Sequence, residues 1–115
     1  MFKSVKEQDS FKNTQTHYYL TQGDSCTITS TPYKNGEIAT GVTKCVFKLA
    51  TSDYKLVKEV NMSAGSNGSY ILNLTSAETS SLNAGSYIYE IEYTIGNEVQ
   101  TPHSWKFDIV KQITG

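Results

Sequence analysis

The 115-residue sequence has little of the material that marks disulfide-rich, disordered, membrane-spanning or nucleic-acid-binding proteins. Its two cysteines are too few for a disulfide scaffold, and two prolines are few for a disordered chain. No window approaches the roughly 18 apolar residues of a transmembrane helix. Ten Lys plus Arg against eleven Asp plus Glu leave a net charge of -1, with no basic surplus to attract nucleic acid. The sequence therefore predicts neither membrane insertion nor nucleic-acid binding.

The residues that are present describe one globular domain. Hydrophobic residues make up 37% of the chain and aromatic residues 11%, and the length suits one core and is too short for two. Residues 1–13 are rich in charge and poor in strand signals, so we expect an N-terminal arm there and a folded domain over 14–113. This amino terminus also lacks the apolar centre of a signal peptide, and we expect no export by the general secretory route.

The dominant pattern is an alternation of apolar and polar residues over short runs separated by turn residues. This pattern is typical of antiparallel sandwiches and barrels. The run 54–62 does not keep one parity, which predicts a bulge or an edge position. Trp105, Phe107 and Ile109 are in phase on the last run, which we expect to pair with 86–95. The sequence predicts an all-β, immunoglobulin-like antiparallel β-sandwich of about seven strands, over 14–21, 25–31, 42–51, 54–62, 70–74, 86–95 and 98–110.

One helical turn interrupts the strands, at about 75–82. Thr75 followed three residues later by Glu78 fits a capping box, in which each side chain bonds the backbone amide of the other. Leu82 can then be buried over one end of the sheets. Asn83, Ala84 and Gly85 end the turn, because Asn and Gly tolerate the left-handed conformation common after a helix.

Cysteine and histidine are not arranged as metal ligands or redox pairs. Cys26 and Cys45 have no CxxC spacing and no neighbouring histidine, and each shares the apolar phase of a strand, so we expect buried free thiols. His17 and His103 lie far apart in sequence, and neither has a carboxylate or cysteine at ligand spacing. We expect no metal and no cofactor.

Hydroxyl and carboxylate groups also lack a catalytic pattern. None of the many serines and threonines lies in a GxSxG elbow or near a plausible histidine base. Glu90 and Glu92 share one strand face and could in principle bind a cation, but we expect a solvated outer face without the cleft that perturbs a catalytic pKa. The sequence predicts no catalytic residues and no enzymatic activity.

Aromatic residues are the best candidates for contacts with a partner. Tyr87, Tyr89 and Tyr93 alternate with Glu on a central strand and are expected in the core, whereas Tyr18, Tyr19, Tyr33 and Tyr54 are candidates for exposed contacts. The arm has apolar residues spaced among charges and can order against a neighbouring subunit, although a frayed terminus is equally compatible. The predicted partner-binding residues are Phe2, Val5, Phe11, Tyr18, Tyr33 and Tyr54.

The order of several segments resembles the N-terminal domain of phage baseplate upper proteins and related immunoglobulin-like modules of phage tails. The likeness covers roughly residues 21–111. It consists of a Gly-Asp before an early strand, the loop KNGE, the strand VTKCVFKLA, the segment LTSAETSSLNAGSYIYEIEY and the final strand EVQTPHSWKFDIVK. The most specific part is the leucine, the Thr-x-x-Glu turn, the small-residue break and the Tyr-x-Tyr-x-Ile strand in that order.

This resemblance implies a non-enzymatic virion protein, assembled in the bacterial host cytoplasm. Such a protein is an adaptor that docks a baseplate, tail fibre or receptor-binding assembly onto a tail hub, and we expect other virion proteins as partners and a homo-oligomer within the particle. Upper proteins continue into a long trimerising region, so this chain is expected to be a fragment or a short stand-alone adaptor. The alternatives are a carbohydrate-binding module, in which tyrosines stack on sugar rings, and a capsid decoration or head fibre protein.

Overall fold

The computed structural model describes residues 14–113, and these form an immunoglobulin-like β-sandwich. Seven strands have four residues or more, which confirms the predicted number, and β3, β4 and β7 have two each. The elements in chain order are β1 (Tyr18–Thr21), β2 (Cys26–Ser30), β3 (Tyr33–Lys34), β4 (Glu37–Ile38), β5 (Val42–Thr51), β6 (Leu56–Asn61), β7 (Ser63–Ala64), β8 (Tyr70–Leu74), α1 (Ser76–Ser80), β9 (Gly85–Ile95) and β10 (Glu98–Val110).

Two sheets form the sandwich. The larger has the order β1-β10-β9-β5-β6, the smaller has the order β2-β8-β7, and β3 and β4 make a separate hairpin. The predicted pairing of the last two long strands is confirmed. The prediction of purely antiparallel strands is wrong at one place, since β1 runs parallel to β10. These two strands are distant in sequence, so no hairpin turn forces them to be antiparallel.

The position of β6 in the larger sheet explains why its apolar residues do not alternate regularly. This strand lies at the edge of the larger sheet, and its register against β5 shifts between Leu49 and Ala50. Leu56 and Val57 on this strand are exposed. Because β7 follows after Met62 alone, the chain crosses from the larger sheet to the smaller one at that buried methionine. Both predicted causes, an edge position and a bulge, are therefore present.

The core lies between the facing sides of the two sheets. Phe47 on β5 and Phe107 on β10 are fully buried, and their rings meet edge to face at 6.1 Å between centroids. From the smaller sheet, Ile28 and Leu74 are buried against them in one hydrophobic cluster. Burial of apolar area of this kind is the main stabilising contribution in a domain of this size.

Three tyrosines on β9 are buried in the core, as predicted, and each hydroxyl has a hydrogen-bond acceptor. Tyr87 donates to the Asn83 carbonyl at 2.6 Å, Tyr89 to the Thr16 carbonyl at 2.8 Å, and Tyr93 to Ser30 Oγ at 2.7 Å. A buried hydroxyl without a partner is costly, so these bonds make tyrosine acceptable at core positions. Burial raises the pKa of Tyr89 to about 12 and also raises the pKa of Tyr93.

The predicted capping box is formed at the start of α1. Thr75 Oγ1 accepts from the Glu78 amide at 3.2 Å, and the Glu78 carboxylate accepts from the Thr75 amide at 3.0 Å. Leu82 is buried beyond the helix, also as predicted. No helix within residues 14–113 has the length and apolar character needed to span a membrane.

Thr79 connects α1 to the turn between β1 and β2. Its side chain is fully buried, and Oγ1 donates to the Asp24 carbonyl at 2.8 Å while it accepts from the Gly23 amide at 3.1 Å. Threonine at this helical position therefore satisfies two backbone groups of a loop that is distant in sequence.

Replacing Thr79 by valine should lower the free energy of unfolding by about 1–3 kcal/mol, because it leaves the Gly23 amide and the Asp24 carbonyl without their partner. Thr79→Ser keeps the hydroxyl and should cost about 1 kcal/mol for the missing methyl group. Urea denaturation of the two variants measures the difference. A valine variant as stable as the wild type would show that this contact contributes nothing.

Candidate docking groove

The turn between β5 and β6 holds an aromatic residue in an unusual backbone conformation. Residues 52–54 form a three-residue loop, closed by bonds from the Tyr54 amide to the Thr51 carbonyl and from the Thr51 amide to the Lys55 carbonyl, both at 2.9 Å. The last residue of such a loop takes a left-handed conformation, for which glycine is the usual choice. Tyr54 occupies it with φ of 67°.

Tyr54 is the exception among the described residues with positive φ. The two other non-glycine residues with positive φ are Asn35 and Asn67, and asparagine tolerates this region. A bulky side chain there is strained by about 1 kcal/mol or more, and strained residues that persist are often functional. Tyr54 is 79% exposed, so packing within the domain does not offset the backbone strain.

The ring of Tyr54 lies at a groove on the outer face of the larger sheet. Two adjoining spaces of about 150 and 270 Å³ make up this groove, and both contact Tyr54, Ile88 and Glu90. Strand alternation creates its floor, because β9 turns its tyrosines inward and its even-numbered residues outward. We call it the outer groove, lined by Tyr54, Leu56, Ile88, Glu90, Trp105 and Lys106.

The pairing of β9 with its two neighbouring strands determines which polar side chains lie side by side in the outer groove. Glu90 on β9 lies between Lys48 on β5 and Ser104 on β10. The Lys48 ammonium lies 3.2 Å from Glu92 and 3.9 Å from Glu59, so it pairs with those carboxylates. Within residues 14–113, no hydrogen bond or ion pair joins Glu90 to another side chain. A half-buried carboxylate therefore lies on the groove floor without a protein partner.

Trp105 keeps its predicted phase, because the register pairs it with the inward-facing Tyr89, but it is not buried. Phe107 and Ile109 are buried as expected, but Trp105 is 40% exposed and lines the outer groove. The Lys106 ammonium lies 5.4 Å from the centroid of its ring, within the range of a cation–π contact. Alternation predicts which face a side chain shares, but not whether the opposite sheet covers it.

The predicted partner-binding residues are divided by the structure. Tyr54 is in the outer groove, and Tyr33 is partly exposed on β3, away from it. The prediction that Tyr18 forms an exposed contact is wrong. Tyr18 is half-buried against the core, with its ring 5.2 Å from Tyr89 and 5.8 Å from Phe107 between centroids, because β1 adds to the larger sheet with this side chain inward. Phe2, Val5 and Phe11 lie outside the described residues.

Tyr19 and His17 form a separate exposed pair on β1 and the segment before it. Their rings stack at 4.1 Å between centroids, and Tyr19 is 70% exposed. His17 Nε2 lies 2.6 Å from Asp108 Oδ2, a contact that lowers the pKa of the Asp108 carboxyl. This pair stabilises β1 beside β10 rather than lining the outer groove.

Sequence reasoning missed a serine and histidine that meet between the sheets. Ser30 on β2 contacts Nδ1 of His103 on β10 and also accepts from the Tyr93 hydroxyl. The expectation that no serine lies near a histidine base is therefore wrong, because 73 residues separate the two in sequence and only the sandwich joins them. Ser30 is 4% exposed, and its contact with His103 links the two sheets.

The two cysteines are free, as predicted, but only Cys45 is buried, whereas Cys26 is partly exposed. Cys26 and Cys45 are free thiols, and burial raises the pKa of Cys45 to about 12. Cys45 Sγ contacts Met62 Sδ at 3.7 Å inside the core. Within residues 14–113 there is no group of three or more His, Cys, Asp or Glu side chains that could hold a metal ion.

Comparisons with known proteins address the fold. No protein-family model matches the sequence, and no curated protein matches it. Solved structures do match. The chain is similar to CopC from Methylosinus trichosporium OB3b, with 14% identity and a TM-score of 0.51 over 91% of this chain and 89% of CopC. It is also similar to trypsin-activated alpha-2-macroglobulin from Escherichia coli, with 15% identity and a TM-score of 0.55 over 90% of this chain.

A third similar structure is the catalytic module of the multi-modular glycogen-degrading pneumococcal virulence factor SpuA, with 15% identity and a TM-score of 0.52 over 70% of this chain. The chain spans 11% of that structure and 7% of the macroglobulin. At these identities the likeness shows the fold alone, and the fold is an immunoglobulin-like sandwich that many unrelated proteins share.

The burial of His103 predicts a stability that depends on pH. Burial lowers the pKa of His103, so the unfolded chain binds more protons between the lowered value and the ordinary pKa of about 6.5. The free energy of unfolding should be constant above that range and fall as the pH decreases through it. Urea denaturation between about pH 7.5 and pH 5 measures this change.

The matched variants are His103→Asn, which removes the titrating group, and His17→Asn, which keeps it. The decrease towards low pH should disappear in the first variant and remain in the second. An equal slope in the wild type and H103N would contradict the assignment.

Proposed function

We propose that this chain is a non-enzymatic structural protein of a phage particle, an adaptor that docks a baseplate, tail fibre or receptor-binding assembly to the virion. The order of its segments resembles such modules, and its immunoglobulin-like fold is compatible with them. The observation that carries the proposal is the outer groove. It combines a strained, exposed Tyr54 with exposed Leu56 and Trp105 in the lining of one groove.

The strain at Tyr54 is not offset by contacts within the domain. Asparagine or glycine would form the same turn with less strain, and the tyrosine ring gains little burial within the domain. Tyrosine and tryptophan are enriched at the centres of protein interfaces, where they bury a large area at a low entropic cost. A partner that covers the ring supplies the burial that the isolated domain does not provide.

The partners in this proposal are other virion proteins, of the tail or baseplate hub or of the capsid. Assembly takes place in the bacterial host cytoplasm, and several copies come together in the particle. The arm that contains Phe2, Val5 and Phe11 stays a predicted second contact.

A carbohydrate-binding module is the second candidate, and the same groove favours it. Tyr54 and Trp105 line one surface together with Glu90, Lys106 and Ser104, which are groups that can bond sugar hydroxyls. Aromatic rings that present an apolar face beside polar groups suit pyranose rings. A capsid decoration or head fibre protein would use the same kind of docking at another site of the particle.

Tyr54→Asn should abolish docking without loss of stability. Asparagine suits the left-handed turn, so the free energy of unfolding should stay equal or rise by up to about 1 kcal/mol, while the ring is lost. Docking is measured by light scattering and calorimetry on mixtures of the chain with purified tail-hub proteins, capsid proteins and host-wall polysaccharide. Tyr54→Phe keeps the ring and should keep docking.

Stoichiometric binding to a tail-hub protein that is lost in Y54N supports the adaptor. The same result with a capsid protein supports a decoration or head fibre protein. Saturable polysaccharide binding with no protein complex would refute the adaptor and support the carbohydrate-binding module. Full docking by Y54N would remove the outer groove from the docking surface.

A further inference from the structure

We propose that the outer groove binds a polypeptide segment that presents an arginine, whose guanidinium pairs with Glu90 and stacks on the ring of Tyr54. This inference rests on the proposed docking function and names the chemistry that the docking partner must supply. It is carried by the free carboxylate, the two aromatic rings and the charge of the groove.

The carboxylate of Glu90 is the acceptor. It is half-buried on the groove floor, and its neighbour across the register, Lys48, is engaged by Glu92 and Glu59. A partner that covers the groove removes water from Glu90, and an uncompensated buried carboxylate is costly. Binding of an apolar occupant is therefore weakened by the desolvation of Glu90, whereas an occupant that carries a cation offsets this cost with a charge-assisted bond.

The aromatic rings favour a flat cation. Trp105 already has the Lys106 ammonium at 5.4 Å from its ring centroid, and the ring of Tyr54 has no such partner within residues 14–113. A guanidinium is planar and weakly hydrated, so it can stack on a ring and pair with a carboxylate at the same time. An ammonium keeps its hydration more strongly and does this less well.

The charge of the surface is complementary to a cationic guest. Lys48, Lys106 and Glu90 line the groove, and Lys48 pairs with Glu92 and Glu59. The ion pair of Asp53 with Lys55 flanks Tyr54, so four carboxylates and three lysines lie in and beside the groove and the excess is negative. Leu56 and Ile88 supply apolar walls on which the stem of an arginine and its neighbouring residues can pack. This combination suits a segment of protein better than a free ion.

The test uses N-acetyl-arginine amide and its neutral isostere N-acetyl-citrulline amide, each titrated into the isotope-labelled chain and followed by nuclear magnetic resonance. The arginine probe should shift the amide signals of Ile88, Glu90 and Lys106 in a saturable way. Loss of the charge should weaken binding about tenfold for the citrulline probe. Equal binding of the two probes, or shifts away from these residues, would overturn the proposal.

Three variants separate a specific site from surface charge. Glu90→Gln should weaken the arginine probe about tenfold and leave the citrulline probe unchanged. Glu37→Gln removes an exposed carboxylate from β4, far from the outer groove, and should bind as the wild type does. Tyr54→Phe should also bind normally, whereas Tyr54→Asn should bind weakly. An unaffected E90Q would contradict the assignment of Glu90.

These experiments distinguish failure of the arginine site from failure of the proposed adaptor function. Docking of virion proteins that requires Tyr54, together with no arginine binding, would leave the adaptor standing and overturn the arginine site. Arginine binding that requires Glu90, with no virion protein bound, would support the site and refute the adaptor. Saturable shifts of the same signals by maltoheptaose alone would overturn the arginine site in favour of a saccharide.

Discussion

The hydroxyl groups of the β9 tyrosines constrain the rest of this domain. Tyr87, Tyr89 and Tyr93 are buried, and each hydroxyl needs an acceptor that β9 itself does not provide. The acceptors come from the exit of the helical turn, from the segment before β1 and from β2 in the opposite sheet. Burial of one strand therefore positions three other parts of the chain, two of them distant in sequence, and it sends Ile88 and Glu90 to the outer face.

The outer groove exists because β9 buries its tyrosines and turns Ile88 and Glu90 outward. Its floor consists of the residues that the tyrosines exclude from the core, and its rim is a tight turn that holds Tyr54 in a left-handed conformation. The core is satisfied in its polar groups, because no buried side-chain nitrogen or oxygen within residues 14–113 lacks a hydrogen bond. The strain at Tyr54 and the free carboxylate of Glu90 thus stand out as local costs that a partner could offset.

Local patterns were enough to predict the sandwich, the capping box at Thr75, the core tyrosines and the edge character of β6. These features depend on periodicity and on residues a few positions apart, which a sequence displays directly. The contact of Ser30 with His103, the parallel pairing of β1 and the inward position of Tyr18 depend on which distant strands meet. The exposure of Trp105 depends on which positions of its face other parts of the chain cover. Tyr54 was predicted as an exposed contact, but its backbone strain and its neighbours Ile88 and Glu90 emerged only from the fold.

The central claim is that a partner covers the outer groove, and hydroxyl-radical footprinting of aromatic side chains tests it most directly. The rates of modification of Tyr54 and Trp105 would be compared between the free chain and the assembled particle, with exposed Tyr19 as an internal reference outside the groove. Our account predicts protection of Tyr54 and Trp105 in the particle relative to Tyr19. Equal rates at Tyr54 in the two states would contradict it.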